Sequence, residues 1–381
     1  MAKTGGNQSF FPLFSCAGCN LLQSVGQNTN IITDQKRDLI MICILWIFLG
    51  AVCLYFIAGI TAAVYIHCRL FNRRYEGNPK LKYFRAEDFE GLAAEEVSFI
   101  SDGGQTLRGF LYTEENVSPK ALIVFCHGFG AGHLSYTTEI NTLARAGYAV
   151  LGYDGTGCGR SGGKHFRGFD QGPADLRAAL RYADANKKIA SLPRVLVGHS
   201  WGAFTVMNGY DGSVCGIAAM CGFLSGADIV AQTVSARFRL LYYFIRPFLA
   251  LLNFCRMGKK ANRCSVRSLS ETNVPVCLFY GVKDSTVPYR RNGAVLEKFS
   301  KNRKNIQFYK WENKGHNVYL SDRAEKYLHE TFAEIAAKKK RGENADALYA
   351  AVDYDLMTEE DESVMSIAVS FCDECVRRAC S

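Results

Sequence analysis

A short glycine-flanked motif carries the serine that could act as a nucleophile. Residues 198–202 read Gly-His-Ser-Trp-Gly, which fits the pattern G-x-S-x-G, and an apolar run at 195–197 precedes them. A serine on a sharp strand-to-helix turn needs small neighbours, because the strand and the helix crowd the strained backbone. Ser200 is therefore the candidate nucleophile, the alternative being an ordinary loop serine. The amide of Trp201, at the start of the predicted helix, would face an oxyanion formed there.

A serine hydroxyl needs a base, and the base needs an acid that orients it. Asp284 follows an apolar run that ends at Gly281, so it would lie at the C-terminal end of a strand. His316 follows the last predicted strand. We therefore predict a triad of Ser200, Asp284 and His316 in that order along the chain.

The second oxyanion donor belongs in the loop that follows the third predicted strand. That strand covers 121–126, and residues 127–130 read His-Gly-Phe-Gly. We assign the donor to the amide of Phe129.

Other residues of catalytic type have poorer positions. His199 lies inside the serine motif. His127 and Asp154 follow or end strands within turns and fit a structural role better. His133 and His165 lie in loops and are candidates for substrate contact.

The elements that position these residues alternate between strands and helices after an initial hairpin around the turn at 102–104. This alternation predicts an α/β fold with a mostly parallel sheet and helices on both faces. The predicted strands are 96–100, 106–112, 121–126, 148–153, 194–197, 216–220, 276–280 and 306–309. The predicted helices are 136–146, 174–186, 204–208, 290–299 and 321–338.

Residues 224–270 interrupt the alternation. They hold aromatic and aliphatic runs with eight Lys/Arg against one Asp. An insertion between two sheet strands usually lies over the strand ends where ligands bind, so we predict a helical cap. Its composition fits an interfacial helix at an anionic lipid surface, and it fits equally a helix that covers the pocket while its charges are solvated.

From about residue 95 to 338 the sequence resembles serine hydrolases of the α/β-hydrolase superfamily. The resemblance is strongest to the branch of lysophospholipases, monoacylglycerol lipases and serine-aminopeptidase-like hydrolases. The matching pieces are 127–130, 154–162, 198–202, 281–284 and 315–316. The resemblance implies the α/β-hydrolase fold over 95–337, with no cofactor and no metal. The residues that it assigns are Ser200, Asp284 and His316 as the triad and Phe129 and Trp201 as the oxyanion hole. Members of this branch catalyse many different reactions, so the resemblance does not identify the substrate.

An apolar run near the N-terminus predicts a transmembrane helix. The 28 residues 39–66 carry no charge, and a helix of this length can span a hydrocarbon core of roughly 30 Å if it is tilted. A buried core helix rarely runs so long without a charge, and a cleaved signal peptide fits poorly because 38 residues precede the run. Six Lys/Arg at 69–85 against two just before the helix place the C-terminal side in the cytoplasm.

The charge is unevenly distributed. The chain carries a net charge of +9, although residues 343–381 hold ten acidic and only two basic residues. The strongly basic remainder suggests contact with nucleic acid or with lipid headgroups, and no nucleic-acid recognition motif is present. We expect the acidic tail at 338–381 to be a solvated or loosely docked helix.

Several patterns suggest cofactors that we reject. Residues 157–162 match G-x-G-x-x-G, but no helix opens directly after them. The C-x-x-C pairs at 16–19 and 372–375 have zinc-like spacing, yet the predicted topology puts them on opposite sides of the membrane. We interpret most of the fifteen cysteines as free buried thiols in a reducing compartment.

Together these patterns predict a single-pass membrane protein with its catalytic domain on the cytoplasmic side. Its predicted function is that of a serine hydrolase that cleaves a lipid-derived or other carboxylic ester through an acyl-enzyme. The alternatives are a peptidase or acyl-protein thioesterase of the same fold, and a catalytically silent interaction module. The oligomeric state is not indicated.

The predicted segments are a polar segment 1–38, the helix 39–66, a juxtamembrane linker 67–94, the catalytic domain 95–337 with the cap 224–270, and the acidic tail 338–381.

Overall fold

The described residues begin with a single long helix. The computed structural model describes residues 17–130 and 132–381, which fall into a unit Met1–Gly59 and a unit Ile60–Ser381. Helix α1 covers Ala17–Phe71, and its stretch Gln35–Phe71 is long and apolar enough to cross a membrane. The helix begins well before residue 39, so the predicted boundary there is not a helix end. Cys16 lies outside the described residues.

The second unit is built on an eight-stranded sheet with the order β1-β2-β4-β3-β5-β6-β7-β8. The pairs β1–β2 and β2–β4 are antiparallel, and all other neighbours are parallel. The prediction of a mostly parallel sheet entered by a hairpin is confirmed. The strands are β1 Leu92–Ile100, β2 Thr106–Glu114, β3 Ala121–Cys126, β4 Tyr148–Tyr153, β5 Arg194–His199, β6 Val214–Met220, β7 Val276–Gly281 and β8 Ile306–Trp311.

The central strands are continuously apolar because helices cover both faces of the sheet. In β3, Ile123 and Phe125 contribute to the core on one face, whereas Leu122 and Val124 contribute to the core on the other. The helices of this unit are α2 Thr137–Arg145, α3 Gln171–Ala185, α4 Trp201–Gly209, α5 Gly226–Val234, α6 Arg239–Met257, α7 Ser265–Ser270, α8 Gly293–Ser300, α9 Asp322–Lys340, α10 Asp346–Ala350, α11 Tyr354–Met357 and α12 Glu362–Cys380.

The predicted cap is helical but shorter than expected. Helices α5 and α6 supply it, and their apolar residues form a cluster separate from the two cores of the sheet. Helix α7 does not belong to it, because Leu269 is fully buried in the core beside the sheet. The cap therefore ends before Ser265.

The expectation that the C-terminal tail is a solvated or loosely docked helix is wrong. Helix α12 packs on the sheet, and its side chains at Val364, Ala368, Phe371 and Cys372 are at most 3% exposed. Relative to Val364, the other three lie four, seven and eight positions further along the helix, which is the spacing of one apolar face. The acidic residues of the tail lie elsewhere on the helix or before it. The domain built on the sheet therefore includes α12 and does not end at residue 337.

The segment predicted as a juxtamembrane linker is also part of the domain. Helix α1 continues to Phe71, and Tyr75 then pairs through its backbone with Gly157 and Gly159 at 2.9 and 2.8 Å. The guanidinium of Arg74 donates hydrogen bonds to three carbonyls of the same loop. The first strand begins at Leu92 rather than near residue 95.

Candidate active site

Ser200 lies on a strained turn between β5 and α4. Its φ of 57° and ψ of −113° lie in a region that a non-glycine residue rarely adopts. A Cβ on Gly198 would lie 2.4 Å from the carbonyl oxygen of Gly202, and one on Gly202 would lie 1.8 Å from that of Cys126. Only glycine fits at either position, which is the physical basis of the motif.

Asp284 and His316 are joined by a hydrogen bond. The Nδ1 atom of His316 is 2.7 Å from Oδ2 of Asp284, whose side chain is fully buried. The other carboxylate oxygen, Oδ1, accepts hydrogen bonds from the amides of Thr286 and Val287 at 2.8 and 2.7 Å. These three contacts fix the carboxylate, and the carboxylate fixes the orientation of the imidazole ring. The His316 side chain remains 16% exposed.

His199 connects the serine motif with both flanking loops, a role that the sequence did not reveal. Its Nε2 donates to the carbonyl oxygen of His316 at 2.9 Å, and its Nδ1 accepts from the hydroxyl of Tyr136 at 2.9 Å. That hydroxyl accepts in turn from the amide of Gly128 at 3.0 Å. Burial, and then the nearby His316, hold the pKa of His199 well below its usual range, so the ring is neutral. The network ties the loop before Phe129 to the loop of His316.

The loop carrying Phe129 lies directly against the serine. A Cβ on Gly128 would lie 3.6 Å from the Cβ of Ser200. Trp201 opens α4, and its indole Nε1 donates to the carbonyl oxygen of Phe169 at 2.9 Å. Both residues assigned as oxyanion donors are therefore near Ser200. Trp201 follows it in the chain, and Phe129 belongs to the loop that packs against it.

Aromatic side chains form a wall beside this site. The Phe129 ring lies 4.5 Å from that of Tyr75 and 5.1 Å from those of Phe166 and Phe169, between ring centroids. Trp201 and residues of α5 and α6 belong to the same apolar cluster. The surroundings of Ser200 are therefore suited to an apolar substrate group.

The loop of His316 is anchored to the C-terminal segment of the chain. The ammonium of Lys314, whose side chain is 5% exposed, lies 2.8 Å from Oδ2 of Asp361. The amide of Asp361 also donates to the carbonyl oxygen of Tyr319 at 2.7 Å. The other oxygen of Asp361, Oδ1, caps α12 by accepting from the amides of Ser363 and Val364. One aspartate thus couples the helix to the histidine loop.

The remaining residues of catalytic type have structural contacts. His127 Nε2 accepts from the amide of Gly155 at 3.0 Å, in agreement with the structural role predicted for it. Asp154 accepts from the amide and Nδ1 of His133 at 2.9 and 2.8 Å. His133 is 1% exposed, so the prediction that it is available to a substrate is wrong. His165 is partly exposed and lies 3.2 Å from the carbonyl oxygen of Phe166 through Nδ1.

Three cysteines whose positions could suggest a metal site are buried, protonated thiols. Cys221 lies near Asp284 and His316, with ligand atoms of the three residues within 4.8 Å of one another. Burial, and then the charge of Asp284, raise the pKa of Cys221 well above its usual range, so its thiol is protonated. Cys372 and Cys375 are buried among apolar residues on α12, and burial raises the pKa of Cys375 to about 12. Their spacing reflects helix packing.

Part of the chain matches a known family. Residues 117–246 match the family described as serine aminopeptidase, S33. A monoacylglycerol lipase of Mycolicibacterium smegmatis is 33% identical over 109 residues, which are 28% of this chain and 38% of that protein. An epoxide hydrolase of Caballeronia sordidicola is 34% identical over 102 residues, which are 25% of this chain and 28% of that protein. The alignments thus span about a third of these relatives.

A solved structure covers far more of the chain. An esterase of Pyrococcus furiosus superposes with a TM-score of 0.51 over 71% of this chain and 98% of its own, at 19% sequence identity. At that identity the likeness shows the fold alone, and the fold is that of the α/β hydrolases.

The ion pair of Asp361 gives a prediction about stability. Asp361→Asn keeps a side-chain oxygen to cap α12 but removes the negative charge from buried Lys314. We expect the free energy of unfolding at pH 7, measured by chemical denaturation, to fall by about 1.5–3 kcal/mol, the range for a hydrogen bond to a charged group. Asp322→Asn is the matched control. Oδ1 of Asp322 lies 3.4 Å from the same ammonium, but the Asp322 side chain is 76% exposed. Its replacement should therefore change the free energy of unfolding by no more than about 0.5 kcal/mol.

The same prediction has a pH dependence. Burial alone would raise the pKa of Asp361, but the hydrogen bonds from Lys314, Ser363 and Val364 hold it below its usual range. A carboxyl whose pKa is depressed on folding stabilises the protein above its unfolded pKa of about 3.9 and loses that effect as the pH falls further. The difference between wild type and Asp361→Asn should therefore shrink below about pH 4. If Asp361→Asn and Asp322→Asn lost equal amounts of unfolding free energy, the role of the ion pair would be contradicted. A difference between wild type and Asp361→Asn that did not change with pH would contradict it as well.

Proposed function

Because this chain has the α/β-hydrolase fold and resembles serine aminopeptidase-like hydrolases over residues 117–246, we propose that it is a membrane-anchored serine hydrolase that cleaves an acyl ester. The observation that carries the proposal is the buried Asp284–His316 hydrogen bond at 2.7 Å, in a loop that His199 ties to the strained turn of Ser200. Each group supplies one part of a serine-hydrolase reaction.

The proposed reaction has two steps. Ser200 Oγ attacks the acyl carbonyl while Nε2 of His316 takes its proton, and Asp284 stabilises the imidazolium that forms. The amides of Phe129 and Trp201 would bind the oxyanion, an interaction typically worth about 10²–10³ in rate for each donor. His316 then gives the proton to the leaving alcohol, and water, activated by the same imidazole, releases the acid from the acyl-enzyme. The reaction requires neither a metal nor a cofactor.

Two features support a lipid-derived ester as the substrate. The rings of Phe129 and Phe169, which lie 5.1 Å apart between centroids and are both partly exposed, offer an apolar surface near Ser200. The apolar helix at Gln35–Phe71 would hold this surface at a bilayer, where esters with long acyl chains are concentrated. The monoacylglycerol lipase among the relatives is consistent with such a substrate.

The nucleophile can be tested with an activity-based probe. We expect a fluorophosphonate probe to label the full chain and Ser200→Ala to abolish both labelling and the turnover of a p-nitrophenyl ester. The matched control Ser213→Ala changes an exposed serine and should retain both. Labelling of Ser200→Ala at the wild-type level would refute the assignment of Ser200. A wild-type chain that shows neither labelling nor turnover would favour the catalytically silent interaction module.

The preferred substrate distinguishes an ester hydrolase from the alternative functions. A peptidase or an acyl-protein thioesterase would use the same triad. In one preparation of the full chain we expect a monoacylglycerol or a lysophospholipid to be turned over with a higher kcat/KM than an aminoacyl amide or an S-acylated peptide. A higher kcat/KM for the amide or the thioester would identify the alternative instead.

The charge flanking the helix supports a cytoplasmic location for the catalytic domain. In sealed vesicles with the cytoplasmic face outward, we expect an added protease to remove, without detergent, an epitope fused after Ser381, which is exposed. Protection of the epitope until the vesicles are permeabilised would show the opposite orientation.

A further inference from the structure

Helix α6 of the cap has two apolar faces. The inner face buries Ile245, Phe248 and Leu249 at 1%, 4% and 7% exposure. The outer face carries a row of large apolar side chains that point away from the protein. Leu240, Tyr243, Leu251 and Phe254 are 83%, 62%, 50% and 56% exposed.

The spacing of the outer residues makes them a continuous stripe. Leu240, Tyr243, Pro247, Leu251 and Phe254 are separated by three or four positions, so they align along one side of the helix. A helix that merely covers a pocket needs only its inner face to be apolar. Large apolar side chains grouped on an exposed face indicate a surface that binds something.

The charge around the stripe indicates what binds. Residues 237–263 contain seven Lys/Arg and no Asp or Glu. Arg246 and Lys260 form ion pairs with Asp228 and Asp102 outside this stretch, and the segment still carries a large positive excess. An apolar stripe bordered by basic residues matches a bilayer surface with anionic headgroups.

Helix α6 also contacts the end of the membrane helix. Within the second unit, Ala63 and Phe71 of α1 are buried in the same apolar cluster as Ile245, Phe248 and Leu249. If the chain is anchored as proposed, α6 would therefore lie next to the residues at which α1 leaves the bilayer.

We propose that the outer stripe of α6 inserts into the interfacial layer of a bilayer that contains anionic phospholipid. The inference rests on the membrane anchoring that is part of the proposed function. Transfer of the large apolar side chains from water and attraction of the basic residues to anionic headgroups would both favour this position. The cap then contacts lipid on its outer face and the aromatic wall of the site on its inner face.

Photolabelling from within the lipid tests this directly. The full chain is reconstituted in phosphatidylcholine vesicles, with or without phosphatidylglycerol, that contain a phospholipid with a diazirine in its acyl chain. Labelled peptides are mapped by mass spectrometry after irradiation. We expect labelling of peptides from 39–66 in both vesicles and of peptides from 238–257 most strongly with phosphatidylglycerol.

Matched variants make the test specific. The triple change Leu240→Ser, Leu251→Ser and Phe254→Ser should reduce labelling of α6 by about tenfold or more, because about 1.4 kcal/mol already corresponds to a factor of ten. It should leave both the anchor labelling and the turnover of a soluble p-nitrophenyl ester unchanged. The control triple Ile100→Ser, Val117→Ser and Val295→Ser alters side chains that are 60%, 47% and 41% exposed elsewhere, and it should keep the labelling of α6.

The outcomes separate this inference from the proposed function. If the anchor peptides were labelled and the α6 peptides were not, the inference about α6 would be overturned, whereas the proposed function would stand. A second copy of the chain bound to the stripe would give this result, because it would exclude lipid. Unlabelled anchor and α6 peptides with retained ester turnover would overturn both membrane contacts but not the hydrolase. Labelling of α6 without any ester turnover would support the inference and contradict the proposed enzyme.

Discussion

The arrangement of the candidate site depends on how closely three pieces of backbone meet at Ser200. The end of β3, the end of β5 and the first turn of α4 approach so tightly that a methyl group at Gly198 or Gly202 would overlap a neighbouring carbonyl. The parallel pairing of β3 with β5 brings the loop of Phe129 to the same edge of the sheet. Strands β7 and β8 end at that edge too, and they deliver Asp284 and His316. Sheet order and close packing together create the site.

Much of this arrangement could be predicted from the sequence because most of the candidate site residues follow apolar runs. A strand buried on both faces must be continuously apolar, so runs such as 121–126 and 276–280 identify the strands with few alternatives. What could not be predicted is the network of Tyr136, His199 and the Gly128 amide. Nothing in the local pattern indicates which buried hydroxyl meets which imidazole, since that pairing depends on how distant segments pack. The histidine inside the serine motif was the only available signal.

The C-terminal tail shows how composition can obscure a pattern. Ten acidic residues in 343–381 suggested a solvated segment, yet α12 fills a place in the core of the sheet. The apolar positions at Val364, Ala368, Phe371 and Cys372 follow helical spacing and were visible in the sequence. Net charge describes a whole segment, whereas packing depends on one face of a helix. Periodicity was therefore the better guide to where this segment lies.

The contact between α1 and Phe129 has a consequence for any soluble form of the domain. The ring of Phe71 lies 6.1 Å from that of Phe129 and 5.2 Å from that of Phe169, so the last turn of α1 packs against the aromatic residues beside the candidate site. Cleavage after Phe71 would remove one aromatic partner from each of these two rings, and each such contact is worth about 0.5–1.5 kcal/mol. A soluble form of the domain therefore has to retain Phe71 if the aromatic residues beside the candidate site are to keep their full packing.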